Sequence, residues 1–162
     1  MPELFQTNQI PQTQKTQQTQ QTLENCTYKN TPSFTFKDKV FKAKCIKVYD
    51  GDTITAAINV FGGFYKFSIR MDGYDAPEIK PKKENPDREE EKKWAKKSKE
   101  YLSGLVLNKM VELHCKDYDK YGRILAEVTI NEESINKLML KNGYCRQYSG
   151  GKKEEWDFSK FE

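Results

Sequence analysis

Three short clusters in this sequence combine carboxylates with cations in a way that suits the chemistry of a phosphodiester. They are Asp50-Gly51-Asp52-Thr53, the stretch from Arg70 through Asp72 and Asp75 to Glu78, and Asp119-Lys120-Tyr121-Gly122-Arg123. A phosphodiester is anionic and gains negative charge as water attacks it. A hard cation held by oxygen ligands polarises a phosphate oxygen. Fixed cations stabilise the developing charge, and arginine's planar fork fits phosphate oxygens. A carboxylate orients or deprotonates the water. In this scheme Asp52 and Asp75 supply the metal site, Glu78 the base, and Arg70 and Arg123 the clamp.

Each cluster has a plainer reading. Asp50-Gly51 is a hairpin turn signal that Asp52 could help to cap. The second cluster is a polar loop leaving a strand. The third is a turn whose glycine supplies the backbone geometry. The first cluster is not an EF-hand loop, which would continue with further acidic ligands and a fixed glycine. No serine triad, phosphate-cradling glycine loop or zinc motif competes with the phosphoryl reading.

The surrounding pattern supplies elements to carry these groups. Phe41, Ala43 and Cys45 alternate with lysines, and Val48 follows. Ile54, Ala56, Ile58 and Val60 alternate with polar or small residues, Gly62-Gly63 turns the chain, and Phe67, Ile69 and Met71 alternate again. That is a three-stranded meander. Arg70 shares parity with Lys66 and Ser68, opposite Phe67 and Ile69. After a proline-rich loop, Asp87 and Glu90 fit a capping box for a helix. Trp94, Ala95, Ser98, Tyr101, Leu102, Leu105 and Val106 form its inner face. Two more strands run through Val111 to Cys115 and Ile124 to Ile130. A short helix from Ser134 to Asn142 stops at Gly143. The order suits an α+β fold: an OB-fold-type five-stranded β-barrel with two to three helices.

The chain has 162 residues and a net charge of +4, a mild bias that permits a polyanionic partner without requiring one. No stretch is long and apolar enough to suggest a membrane span. Residues 1–25, rich in Gln and Thr, read as a disordered tail, with residues 26–39 as a lead-in and 151–162 as a short C-terminal tail. None of the four cysteines forms a C-x-x-C pair, and His114 is the sole histidine, which argues against zinc. Cys45, Cys115 and Cys145 read as buried thiols. With no export signal in view, an intracellular setting and a monomer are expected.

Taken together, the motifs resemble the staphylococcal nuclease, or thermonuclease, family. The resemblance rests on Val48-Tyr49-Asp50-Gly51-Asp52-Thr53, on Arg70 followed by Asp75-Ala76-Pro77-Glu78, on Asp119 to Arg123, and on Lys141-Asn142-Gly143-Tyr144. It runs from about residue 40 to 150. It implies calcium bound by Asp52, Asp75 and the backbone carbonyl of Ala76, where the family's best-known member has threonine. It further implies Glu78 as general base or water-orienting group, Arg70 and Arg123 on the phosphate, and Tyr121 in contact with nucleotide. The implied activity is hydrolysis of DNA and RNA to 3′-phosphate ends. Tyr148 could stack on a base or serve in packing, and the segment beyond it is short for the family's third helix. The alternative is a non-catalytic nucleic-acid-binding module, as in Tudor-staphylococcal-nuclease proteins, which has no need of the metal carboxylates or Glu78. The charged site residues are expected outside the apolar core, so that replacing them leaves the fold intact.

Overall fold

The computed structural model describes residues 22–161. Most of the expected Gln/Thr tail, residues 1–21, lies outside them. The chain divides between Phe34 and Thr35. Residues 22–34 hold a short 3₁₀ turn at Leu23–Asn25 and a turn closed by the Asn30 side chain, which accepts from the Thr27 N–H at 2.7 Å.

The rest is built on β1 (Val40–Val48), β2 (Thr53–Val60), β3 (Gly63–Met71), β5 (Met110–Tyr118) and β6 (Ile124–Ile130). Two-residue strands β4 (Tyr74–Asp75), β7 (Glu133–Ser134) and β8 (Arg146–Gln147) supplement them. The five long strands lie in the order β3-β2-β1-β5-β6, and β3 pairs in parallel with β6 to close the barrel. The alternation expected from the sequence holds on β2, where Ile54, Ala56, Ile58 and Val60 are buried. On β1 the register shifts between Cys45 and Lys47, so Val48 turns inward three positions after Cys45. A bulge of this kind lets a strand curl. The turn between β2 and β3 is centred on Phe61-Gly62, both at positive φ, one position before the expected glycine pair. Gly63 instead stands in the strand, where a Cβ would meet the Tyr65 ring at 2.8 Å.

Helix α1 (Arg88–Val106) buries Trp94, Ala95, Ser98, Leu102 and Val106, the stripe that its periodicity predicts. Truncating Leu102, which is fully buried, to alanine removes roughly 2–5 kcal/mol. The expected capping box at its start does not form: the Asp87 side chain caps nothing, and Glu90 accepts from the Trp94 indole at 3.0 Å. Asn85 takes over that end, its side chain accepting from the Asp87 N–H at 2.9 Å. Helix α2 (Ile135–Lys141) is capped by Ser134, which accepts from the Lys137 N–H, and Gly143 at φ 75° ends it. Cys45, Cys115 and Cys145 are buried free thiols. Burial pushes them up to about 11, 11 and 12. Among the described residues no helix is long and apolar enough to cross a membrane.

Candidate functional site

The loop from Tyr49 to Thr53 folds on its own polar groups. The N–H groups of Tyr49 and Asp50 both donate to the Thr53 carbonyl. The Asp50 carboxylate accepts from the Asp52 N–H at 3.0 Å, and the Thr53 hydroxyl donates to Asp52 at 2.9 Å. Gly51 is required by proximity rather than by dihedral angle. A Cβ there would lie 2.0 Å from the Ser98 hydroxyl on α1 and 2.8 Å from the Ala76 methyl. The hydroxyl of Tyr74, itself fully buried, donates to the Gly51 carbonyl at 2.8 Å. Asp50 and Asp52 are both buried. Burial and then the neighbouring Asp52 carboxylate push the Asp50 carboxyl up to about 7. The plain turn reading accounts for Asp50's backbone bonds and leaves that crowding of carboxylates unexplained.

At the end of β3, Arg70 is tied into the fold through both of its terminal nitrogens. One terminal nitrogen donates to the carbonyls of Met71 and Tyr74 at 2.6 and 2.8 Å. The other lies 3.1 Å from Asp52 and 3.4 Å from Asp75. Arg70, Asp52 and Asp75 are only 7%, 6% and 1% exposed. Arg70 and Asp52, expected outside the apolar core, are thus buried beside it, whereas Glu78 is exposed and Arg123 half-buried. Parity does send Arg70 away from Ile69, yet that face is covered too, by the Tyr74–Asp75 strand.

Asp75 reaches this position because β4 pairs with β8, setting it opposite Arg146. Arg146 donates to one Asp75 oxygen at 3.0 Å, and the Lys153 ammonium lies 2.7 Å from the other. The Ala76 N–H donates to Asp52 at 3.0 Å, which joins the two metal candidates through backbone. Glu78 is more exposed. Its N–H donates to the buried Glu91 carboxylate at 3.0 Å, and Asn85 donates to the other Glu91 oxygen at 2.6 Å. Glu91 thus fastens the loop that carries Glu78 to α1. Burial, more than any neighbouring carboxylate, holds the Glu91 carboxyl above its ordinary range.

Arg123 arrives from the β5–β6 loop. Asp119 organises this loop, accepting from the N–H groups of Tyr121 and Arg123 at 2.9 and 3.0 Å, with Gly122 at positive φ. Its second oxygen takes the Arg123 Nε–H at 2.6 Å, and Arg123 Nη1 donates to the Thr53 hydroxyl at 3.1 Å. Burial would raise the Asp119 carboxyl, but the bonds from Arg123 and Tyr121 outweigh it and leave it below the ordinary value. The Tyr121 ring is exposed, 5.4 Å from the Arg123 guanidinium.

These groups border one groove of about 1220 Å³, lined by Asp52, Arg70, Glu78, Tyr121, Arg123 and Tyr148, among others. Asp75 does not line it: it is buried against Arg70 and borders a second groove with Glu78, Arg146 and Lys153. Tyr148 is held at the rim, its hydroxyl donating to the Gly151 carbonyl at 2.7 Å. Among the described residues no three Asp, Glu, His or Cys side chains converge tightly enough to hold a metal by themselves. The donor set still fits a hard cation. Asp52 and Asp75 converge on a single Arg70 nitrogen, all their donors are oxygens, and the ammonium of Lys153 already stands against Asp75 as a cation. Sequence reasoning passed over Arg146, Lys153 and Glu91. Glu91 is hidden in the run Glu89-Glu90-Glu91, and only helical spacing to Trp94, Ala95 and Ser98 marks it as inward.

Comparison with known proteins follows the same residues. Residues 68–162, more than half of the chain, match the family model described as staphylococcal nuclease homologue. That stretch contains Arg70, Asp75, Glu78 and Arg123 and begins beyond Asp52. An uncharacterised protein of Methanocaldococcus jannaschii is 33% identical over 145 residues, covering 77% of this chain and 68% of that protein. An uncharacterised endonuclease of Haemophilus influenzae is 34% identical, covering 65% of this chain and 53% of its own length. The thermonuclease of Staphylococcus hyicus is 32% identical, covering 64% and 57%. The chain thus spans little more than half of these two nucleases.

Proposed function

Because the chain belongs to the staphylococcal nuclease family, we propose that it is a calcium-dependent nuclease that hydrolyses phosphodiester bonds of DNA or RNA and leaves 3′-phosphate ends. One observation carries the reading. Asp52 and Asp75 meet Arg70 within 3.4 Å, Arg123 is tied to Thr53, the residue next to Asp52, and Asp52, Arg70, Glu78 and Arg123 line one groove, with Asp75 buried against Arg70. A packing role alone does not call for two arginines and a row of carboxylates at one mouth.

Asp52, Asp75 and the Ala76 carbonyl would hold the calcium, which would polarise a phosphate oxygen of the bound diester. Glu78, at the groove wall, takes the proton of the attacking water. The water oxygen bonds to phosphorus, the bond to O5′ breaks, O5′ takes a proton from solvent water, and the products are a 3′-phosphate and a 5′-hydroxyl. Arg70 and Arg123 bind the phosphate and stabilise the charge that develops on it. The Tyr121 ring, exposed beside Arg123, offers a face for a base. Tyr148 at the rim offers a second, weaker one. The free thiols support an intracellular setting, and we take the working form to be a monomer.

The test uses the full chain with plasmid and single-stranded DNA, in calcium, magnesium or chelator, beside Glu78→Gln. Cutting should occur in calcium, fall off in magnesium and stop in chelator. Glu78→Gln should lower turnover roughly 100- to 10,000-fold while nucleic-acid binding persists. Full cutting in chelator would sink the calcium assignment. Binding without cutting under every condition would favour the non-catalytic module.

A further inference from the structure

The segment after Tyr148 reads in sequence as a polar tail tipped with aromatic residues. It is fastened at both ends. Gly150 and Gly151, at φ 104° and 91°, reverse the chain where a side chain would be strained, and the Tyr148 hydroxyl holds the Gly151 carbonyl. Further on, Trp156, Phe158 and Phe161 pack on one another with ring centroids 5.4–5.9 Å apart. Phe161 meets Trp94 of α1 at 5.2 Å, and the Arg146 guanidinium lies 3.9 Å from the Trp156 ring. Lys153 sits between these anchors. Its ammonium is 2.7 Å from Asp75 Oδ1 and 3.3 Å from Glu78 Oε1. It therefore bridges the carboxylate assigned to calcium and the carboxylate assigned to the water.

We propose that Lys153 is a functional residue of the site, an internal cation that holds Asp75 and Glu78 together until calcium displaces it. This rests on the calcium reading above. One ammonium and one calcium cannot share the same face of Asp75, whose other oxygen is engaged by Arg146. Calcium brings two charges and accepts several oxygens, so it wins once concentrated enough. Lys153 raises the concentration needed, and by reciprocity calcium loosens the strap. The aromatic anchors stay in place, because none of them touches the carboxylates.

The test is calorimetric titration of calcium into the full chain, wild type beside Lys153→Gln and Lys153→Arg, with melting temperatures in chelator. Lys153→Gln should bind calcium roughly 5- to 150-fold more tightly, the usual span of coupling between two competing ligands. Lys153→Arg keeps the charge and should stay near wild type. In the wild type, calcium should also speed tryptic cleavage after Lys152 and Lys153. A merely structural lysine would alter melting and leave calcium affinity alone. Equal or weaker calcium binding by a folded Lys153→Gln overturns the proposal while leaving the calcium reading intact. No calcium binding by wild type and variant alike would overturn both.

Discussion

Arg70 and Arg123 present the same charge to the same groove and are held in opposite ways. Arg70 is buried on the face of β3 opposite Ile69 and Met71, against the Tyr74–Asp75 strand. Two carbonyls and two buried carboxylates enclose it, and its side chain is 8% exposed. Arg123 belongs to a loop that one residue, Asp119, folds around itself, and its side chain is 27% exposed. The first arginine is built into the fold by these bonds. The second can be lost without disturbing a strand. If the two arginines bind phosphate as proposed, the clamp has one fixed and one separable jaw, and loop substitution could change substrate affinity while the barrel stays unaltered.

The largest effect should come from Arg70→Ala. It strands Asp52 and Asp75 as buried, poorly compensated charges, which typically costs about 3–5 kcal/mol. Denaturant unfolding should show that loss, with turnover falling as well. Stability equal to wild type would erase the distinction between the two jaws. Arg123→Ala should lower turnover roughly 100- to 1,000-fold and shift stability by no more than about 0.5 kcal/mol. Early melting of this variant would place Arg123 in the scaffold too.

Smaller effects sharpen the contrast. Asp119→Ala removes the group that aims Arg123, and about a tenfold drop in turnover is expected, equivalent to ~1.4 kcal/mol. The Asp119 carboxyl also titrates informatively. Its folded-state value lies below the ordinary one of about 3.9, so its stabilising contribution is present above that pH and is lost as pH falls through the folded value. Carboxyl titration by NMR should show Asp119 low in the wild type and moved upward in Arg123→Ala. An unmoved midpoint would mean that the backbone donors alone hold it down. Deleting residues 1–25 should change neither melting temperature nor cutting rate, since that Gln/Thr composition has little apolar surface to bury.

The barrel was legible because its strands alternate and its turns carry glycine. Ile54 to Val60 reads directly onto the buried face of β2, and Asp119 to Arg123 reads as the loop it is. Arg70, Asp75, Glu78 and Arg123 were legible by residue type as candidates for chemistry. What escaped was burial and partnership. Parity says which face Arg70 leaves from, and it cannot say that a two-residue strand later covers that face. Strands β4 and β8 are too short for any period, so the pairing that brings Arg146 to Asp75 has no signature. Lys153 lies in a charge run like others on the surface, and its partner stands 78 positions earlier in the chain (153 − 75).

The parallel pairing of β3 with β6 has a consequence for the order of events during synthesis. Ile69 meets Ile124 across this seam, so the cylinder cannot shut until the later strand has left the ribosome. Asp52, Arg70, Asp75 and Glu78 are all translated well before it, and Arg123 emerges just ahead of it. A nascent chain therefore carries Asp52, Arg70, Asp75 and Glu78, the groups proposed to cut, without the closed barrel, alongside the messenger that encodes it. Sewing this seam late leaves the barrel open until β6 has been made.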